Sequence, residues 1–274
     1  MKPLAIDLFC GLGGWAEGLL AEGYRVVGFD IEQHDYGTGG YPAQLVLQDV
    51  LTLHGSQFRN AALIVASPPC QAYSYMAMPF TRGRAKAAAI REGGPEALAE
   101  LNALFDACFR IQREASEAAG RYIPMVVENV KGAQPWVGRA KWHYGSFYLW
   151  GDVPALMPPA FAIKNTGGSW FGERDGKPIE PNDPRDNHPG KSMDGSRKRP
   201  AGGSWFGNYA EQKEGLKQGG NWWHDPSSMT RQFISRSPER KAASAMIAKI
   251  PLPLARWIAR VYHPATMPAG ASSR

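Results

Sequence analysis

Cys70 stands in the run Ser67-Pro68-Pro69-Cys70-Gln71, directly after the apolar stretch Ala62 to Ala66. Two consecutive prolines fix φ and stiffen the approach, so the thiol is presented at a defined angle where a strand ends. Cys108, by contrast, lies inside Leu104-Phe105-Asp106-Ala107-Cys108-Phe109, the setting of a packing residue. A thiol at the mouth of a cleft is a candidate nucleophile once its pKa is lowered or a base assists it. Glu128-Asn129-Val130 follows a second apolar run, Pro124 to Val127, and a carboxyl group there could share a substrate with Cys70. A third group is Asp7-Leu8-Phe9-Cys10-Gly11-Leu12-Gly13-Gly14, in which glycines allow close backbone approach and a helix start offers unpaired N–H groups. Asp30 and Asp49, each after a further apolar run, could receive ribose hydroxyls and an adenine amino group. In this order the three points suit an adenosine cofactor beside a nucleophilic site.

Those residues need a scaffold that delivers loops to one edge. Strands are predicted over Leu4 to Phe9, Arg25 to Asp30, Leu45 to Leu47, Ala62 to Ala66 and Pro124 to Val127, with helices over Trp15 to Glu22 and Pro95 to Ala119. Strands alternating with helices predict an α/β fold, a doubly wound and mostly parallel sheet. Ligands then sit beyond the carboxyl ends of the strands, where each candidate residue falls. From residue 152 the texture changes: Pro, Gly, Asn and Asp are dense, and Gly-Gly-Ser-Trp-Phe-Gly occurs at 167–172 and again at 202–207. Ser237 to Tyr262 returns to a helical pattern. The expected division is a catalytic and cofactor-binding domain over 1–151, a small target-recognition region over 152–235, and a segment over 236–274 that rejoins the first.

The 274 residues suffice for one substantial core. A net charge of +6 fits a nucleic-acid partner. Three widely spaced cysteines form no CxxC pair, which disfavours a disulfide framework and a zinc site. No apolar run reaches the roughly 18–20 residues of a membrane-spanning helix. The N-terminus turns from one lysine into a strand and a glycine loop, unlike a signal peptide. A monomeric cytoplasmic protein with no metal and no membrane contact is expected.

Taken together, the proline-proline-cysteine-glutamine run, the glutamate-asparagine-valine run and the glycine loop resemble the DNA cytosine-C5 methyltransferase family, over about the first 130 residues and loosely at the C-terminus. The resemblance implies the Rossmann-like fold of class I S-adenosylmethionine-dependent methyltransferases, S-adenosyl-L-methionine as cofactor, and double-stranded DNA as partner. It implies Cys70 as nucleophile, Glu128 as the acid on the base, and Asn129 and Gln71 as supporting catalytic residues. Phe9, Gly11, Leu12, Gly13, Gly14 and Pro69 would line the cofactor site, with Asp30 on the ribose, Ile31 against the adenine, and Asp49 with Val50 at the adenine edge. Ser74, Arg82 and Arg84 would carry the catalytic loop onto DNA, and Met78 to Arg84 is expected to extend that loop. Trp170, Trp205, Arg197, Lys198 and Arg199 would belong to the DNA-reading face.

The chain also departs from the family. The expected Gln-x-Arg-x-Arg run is missing; alignment on Gly151 puts Tyr144 and Ser146 where the arginines should stand. Arg139, just upstream, is therefore expected to reach the pocket as the cationic donor. A Gly-Asn pair near the C-terminus is replaced by Ile247-Ala248 before Lys249-Ile250-Pro251. These differences suggest a phage-type or orphan member. A transfer-RNA methyltransferase and an inactive DNA-binding protein are the competing readings. Basic residues interspersed with Trp170, Trp205, Trp222 and Trp223 disfavour the first, and the retained Cys70 and Glu128 disfavour the second.

Overall fold

The computed structural model describes residues 2–35, 39–73, 80–157, 173–174, 177–178, 245 and 248–266, with 80–82, 173–174 and 177–178 described in their backbone alone. The chain forms two compact units, Met1–Pro158 with Lys249–Arg274, and Pro159–Ala248. In the second unit the described residues include a two-stranded antiparallel ladder, Glu173–Arg174 against Lys177–Pro178. The two Gly-Gly-Ser-Trp-Phe-Gly segments, and with them Trp170, Trp205, Arg197, Lys198 and Arg199, lie outside the described residues, as does Ser74.

The first unit is built on seven strands: β1 (Leu4–Leu8), β2 (Arg25–Asp30), β3 (Gln44–Leu47), β4 (Ala61–Ala66), β5 (Met125–Asn129), β6 (Trp142–Tyr144) and β7 (Phe147–Gly151). Their order in the sheet is β3-β2-β1-β4-β5-β7-β6. The pairs among β1 to β5 are parallel, and β7 runs antiparallel to both β5 and β6. The chain steps outward from β1 to β3 and then crosses to β4 on the other side. That reversal opens a crevice between the carboxyl ends of β1 and β4, the standard ligand position in such sheets. The central strands read as continuous apolar runs because both faces are covered. Among the described residues no helix is long and apolar enough to cross a membrane.

One face carries α2 (Phe80–Glu92) and α3 (Gly94–Ala119). α3 turns Phe105, Cys108, Ile111 and Ala115 inward at helical spacing, against a core that includes Leu8, Ile64, Met125, Val127 and Trp150. It stops at Gly120, whose left-handed φ of 62° suits a glycine cap. From Phe80 on, helix α2 takes the place of the loop extension expected over Met78 to Arg84, of which Met78 and Pro79 lie outside the described residues. Its run Arg84-Ala-Lys-Ala-Ala-Ala-Ile-Arg-Glu consists almost wholly of strong helix formers, so local propensity favours a helix there.

The other face carries α1 (Gly14–Ala21) and the C-terminal helix, labelled α5 (Leu252–Val261) because a short α4 (Gln134–Val137) precedes it. The two helices cross closely at Gly18: a Cβ there would stand 2.4 Å from Ala255 Cβ and 2.7 Å from Arg256 N. Tyr24 donates its hydroxyl to Ala259 O, and Glu22 accepts from Arg256 and Arg260. Since the obstruction at Gly18 is largely backbone, Gly18→Ala is expected to lower unfolding stability by about 1–3 kcal/mol despite the helix propensity gained. Urea denaturation checks this, and a stability equal to the parent would mean that the crossing is not tight.

Candidate active site

Three neighbouring strands deliver their loops to one edge. Leu8 of β1 pairs with Ala66 of β4, and Ala66 with Val127 of β5. The glycine loop, the Cys70 turn and Glu128 therefore all lie at or just beyond the same level of the sheet.

The glycine loop is held from the β2 side. Asp30 accepts from Gly11 N (2.9 Å), Ile31 N (2.8 Å) and Glu32 N (3.3 Å). Three backbone donors fix that carboxylate at the end of β2 beside the loop. Gly11 and Gly13 adopt φ of 48° and 76°, conformations that glycine takes without a Cβ clash. Phe9 shares the left-handed region at φ 56°, a strained backbone of the kind that gathers at ligand sites. Ile31, beside Asp30, is 69% exposed. The side chain of Asp49 accepts from Leu51 N and starts the 3-10 turn Val50–Thr52. Val50 is buried, its side chain within the apolar core. Leu12 and Gly14 are also buried, Gly14 against the backbone of Ile250. A carboxylate fixed beside an open apolar side chain and a glycine cradle is a donor and acceptor set that fits an adenosine group.

Asp7 and Tyr41 belong to this crevice and were not anticipated. Tyr41 donates its hydroxyl to Asp7 Oδ2 (3.1 Å), and its ring covers Gly28, where a Cβ would lie 2.4 Å from Cζ. Asp7 is fully buried and its Oδ1 has no partner among the described residues. Burial, reinforced by the Asp30 charge, pushes its carboxyl well above the usual carboxylate range. The available signal was Gly28 in mid-strand, a position that often marks a close approach by another group.

Cys70 opens a turn that closes through Tyr73 N to Cys70 O (3.0 Å). It is partly exposed, whereas Cys10 and Cys108 are buried with their thiols pushed up chiefly by burial. Pro68 is buried, while Pro69 and Gln71 are exposed. Asn129 links this turn to β5: its Nδ2 donates to Pro68 O (3.0 Å) and its Oδ1 accepts from Val130 N (2.8 Å). Lys86 of α2 donates to Ala72 O (2.8 Å). Glu128 is 4% exposed and stands directly opposite Leu149. Arg84 is an exposed residue of α2; Arg82 lies on the same helix, its backbone alone described.

Arg139 lies just before β6, which runs parallel to β5. In the sheet register Trp142 pairs with Leu149, which itself pairs with Glu128, so Trp142 is level with the glutamate and Tyr144 is further toward the carboxyl edge. Arg139 precedes β6 and is exposed, in a surface pocket of about 280 Å³ shared with Lys141, Gln134, Trp142, His143 and Tyr148. By strand direction the Tyr144–Ser146 turn follows β6 on the side of the carboxyl ends, whereas Arg139 precedes the strand. Tyr144 is buried, and by the alternation of the pleat it shares the face of the sheet with Glu128.

The segment from β1 into α2, with its glycine loop and Cys70, has a counterpart among known families. Residues 4–87 match the model of the C-5 cytosine-specific DNA methylase family. The methylase match includes Cys70 and ends before Glu128. The sheet around it is doubly wound, with β1 to β5 parallel and β7 antiparallel between β5 and β6. None of the curated proteins matches the chain. Among solved structures it is similar to a DNA modification methyltransferase encoded within an E. coli prophage, at 24% identity and a TM-score of 0.33 over 48% of this chain and 33% of the other. A Dnmt2 methyltransferase from S. pombe follows at 16% identity and a TM-score of 0.31, over 50% and 37%. The methyltransferase EhMeth of Entamoeba histolytica stands at 14% and 0.34, over 50% and 41%. The matched part thus spans about a third of the length of the first and less than half of the other two.

Proposed function

We propose that this protein is a DNA (cytosine-5-)-methyltransferase, which moves a methyl group from S-adenosylmethionine to C5 of a cytosine flipped out of double-stranded DNA. The observation that carries this reading is the shared edge: the glycine loop, the Cys70 turn and Glu128 follow β1, β4 and β5, three adjacent strands. Asp30, Ile31 and the glycine loop would hold the cofactor, with Asp49 and the Val50 backbone at its adenine edge. When bound, S-adenosylmethionine supplies the electrophilic methyl group that C5 accepts.

The chain's own residues must make C5 nucleophilic. The Cys70 thiolate adds to C6 and breaks the ring's conjugation, so electron density collects at C5. Glu128 hydrogen-bonds N3 and the exocyclic amine and balances the charge that develops on addition. After C5 is methylated it loses its proton, the C6–Sγ bond breaks, and the thiolate leaves with the ring aromatic again. Asn129 keeps the Pro68 carbonyl and the Glu128 strand together during these steps. A base inside the stack is out of reach, so flipping it out costs a few kcal/mol, offset by contacts to the DNA. Residues 152–235, with Arg197, Lys198 and Arg199, are the region proposed to read the target.

Cytosine O2 gains negative charge as the thiolate adds, and it calls for a donor. The direction of β6 favours the Tyr144–Ser146 turn over Arg139 for that role. Tyr144→Phe is expected to slow single-turnover methyl transfer about 10²-fold or more, as the loss of a transition-state donor does, while Arg139→Ala stays within a few-fold of the parent. The reverse ranking would restore the arginine.

Incubation with tritiated S-adenosylmethionine and either duplex DNA or transfer RNA tests the function, with bisulfite sequencing of plasmid from expressing cells to locate the product. Label in DNA at cytosine C5 is the expected result. Label confined to transfer RNA would replace the substrate, and label in neither would remove the activity.

A further inference from the structure

We infer that Asn102 is a positioning residue that holds the Cys70 turn and the segment after Glu128 at a fixed separation; this rests on the methyltransferase reading above. Asn102 is 7% exposed on α3, about one turn before Phe105 and two before Cys108, which enter the apolar core. A buried amide in the middle of a helix is unfavourable unless its hydrogen bonds are made elsewhere. Here both ends are used. Its Oδ1 accepts from the Tyr73 hydroxyl at 3.0 Å, and its Nδ2 donates to Trp136 O at 3.0 Å.

Each partner leads to a catalytic residue. Tyr73 N closes the turn on Cys70 O, and the Tyr73 ring is buried, so a shift of that hydroxyl moves the turn. Trp136 belongs to α4, which continues the 3-10 turn Lys131–Ala133 immediately after Glu128, Asn129 and Val130. Arg91 of α2 lies over the Trp136 ring, its guanidinium carbon 5.6 Å from the centroid, and presses the same segment from outside. Asn129 ties the two loops at their base; Asn102 ties them again from the helix. A carboxamide suits this role, because it accepts at its oxygen and donates at its nitrogen at the same time. Burial pushes the Tyr73 phenol up to about 12, so it remains a donor at every working pH.

The test separates position from stability. Tyr73→Phe takes the donor from Asn102 Oδ1, and Asn102→Leu takes it from Trp136 O while the Tyr73 hydroxyl keeps Leu101 O at 3.2 Å; each is expected to lower the thermal midpoint and slow single-turnover methyl transfer about 10²-fold, the cost of an ångström of misplacement. The double variant Tyr73→Phe/Asn102→Leu removes both ends of the Tyr73–Asn102 bond but still leaves Trp136 O without its donor, so its midpoint should lie no lower than that of Asn102→Leu alone while its turnover stays slow. Iodoacetamide labelling of Cys70, followed by mass spectrometry, reads the turn without any methyl transfer, since Cys10 and Cys108 are buried. Labelling should quicken threefold or more in all three variants. A double variant that turns over and labels like the parent overturns the inference. Turnover that simply tracks the midpoint does so too. If the parent methylates no nucleic acid, the functional reading fails, and the labelling rates alone decide whether Asn102 holds the turn.

Discussion

Cys70→Ser protein is expected to transfer no measurable methyl group to duplex DNA while keeping its melting temperature within a few degrees and its affinity for DNA unchanged. Cys70 is partly exposed at a turn rather than packed in the core, so replacing sulfur by oxygen creates neither a cavity nor an overpacked contact. What is lost is the covalent step: a serine hydroxyl at neutral pH is almost wholly protonated, and C6 of an aromatic ring is a poor electrophile for it. The companion measurement uses DNA containing 5-fluorocytosine. Once the thiolate has added and the methyl has arrived, C5 carries fluorine where a proton would have to leave, so elimination stops and the parent protein stays bonded to DNA through denaturing electrophoresis. The serine variant should give no such band. A serine variant with full turnover would remove the covalent mechanism, and a trapped band that persists in it would move the nucleophile elsewhere.

Glu128→Gln is expected to reduce turnover by a hundredfold or more, with cofactor affinity changing little. Glu128 ends β5 at 4% exposure, and in the proposed mechanism it meets N3 and the exocyclic amine of cytosine. The amide is nearly isosteric, so the fold should survive, but it cannot answer the charge that develops on the ring as Cys70 adds. An interaction that strengthens only in the transition state appears in turnover rather than in ground-state binding. A glutamine variant whose KM rises while kcat holds would assign Glu128 to substrate binding alone.

Parts of this arrangement were legible in the residues because they depend on local chemistry. The Pro68-Pro69-Cys70 run announces a stiffened thiol whatever surrounds it, and its place after an apolar run puts it at a strand end. The same logic found Glu128, Asn129 and the Asp30 side of the crevice. Other parts were not legible. Met78 to Arg84 follows closely on the Cys70 loop and shows no apolar periodicity, while the strong helix formers of α2 lie further on, from Arg84 to Glu92. Tyr41 sits in a short connection with no periodicity, and its contact with Asp7 joins residues 34 positions apart. β6 is only three residues long, too short to show alternation, so nothing in the sequence told which end of it Arg139 would occupy.

By itself the sequence determined the chemical types, the alternation of strand and helix, and which residues leave the strands at their ends. These follow from side-chain chemistry and from periodicities that span only a few neighbours. Tertiary structure alone decided the order β3-β2-β1-β4-β5-β7-β6, the register that sets Glu128 level with Trp142, the burial of Val50 and the bridge of Asn102 from the Cys70 turn to Trp136. The reason is that strand pairing is fixed by contacts between distant segments, and a slip of one residue turns every side chain to the other face. No local pattern near Arg139 or Tyr144 records that choice; the sheet makes it when β7 folds back beside β5.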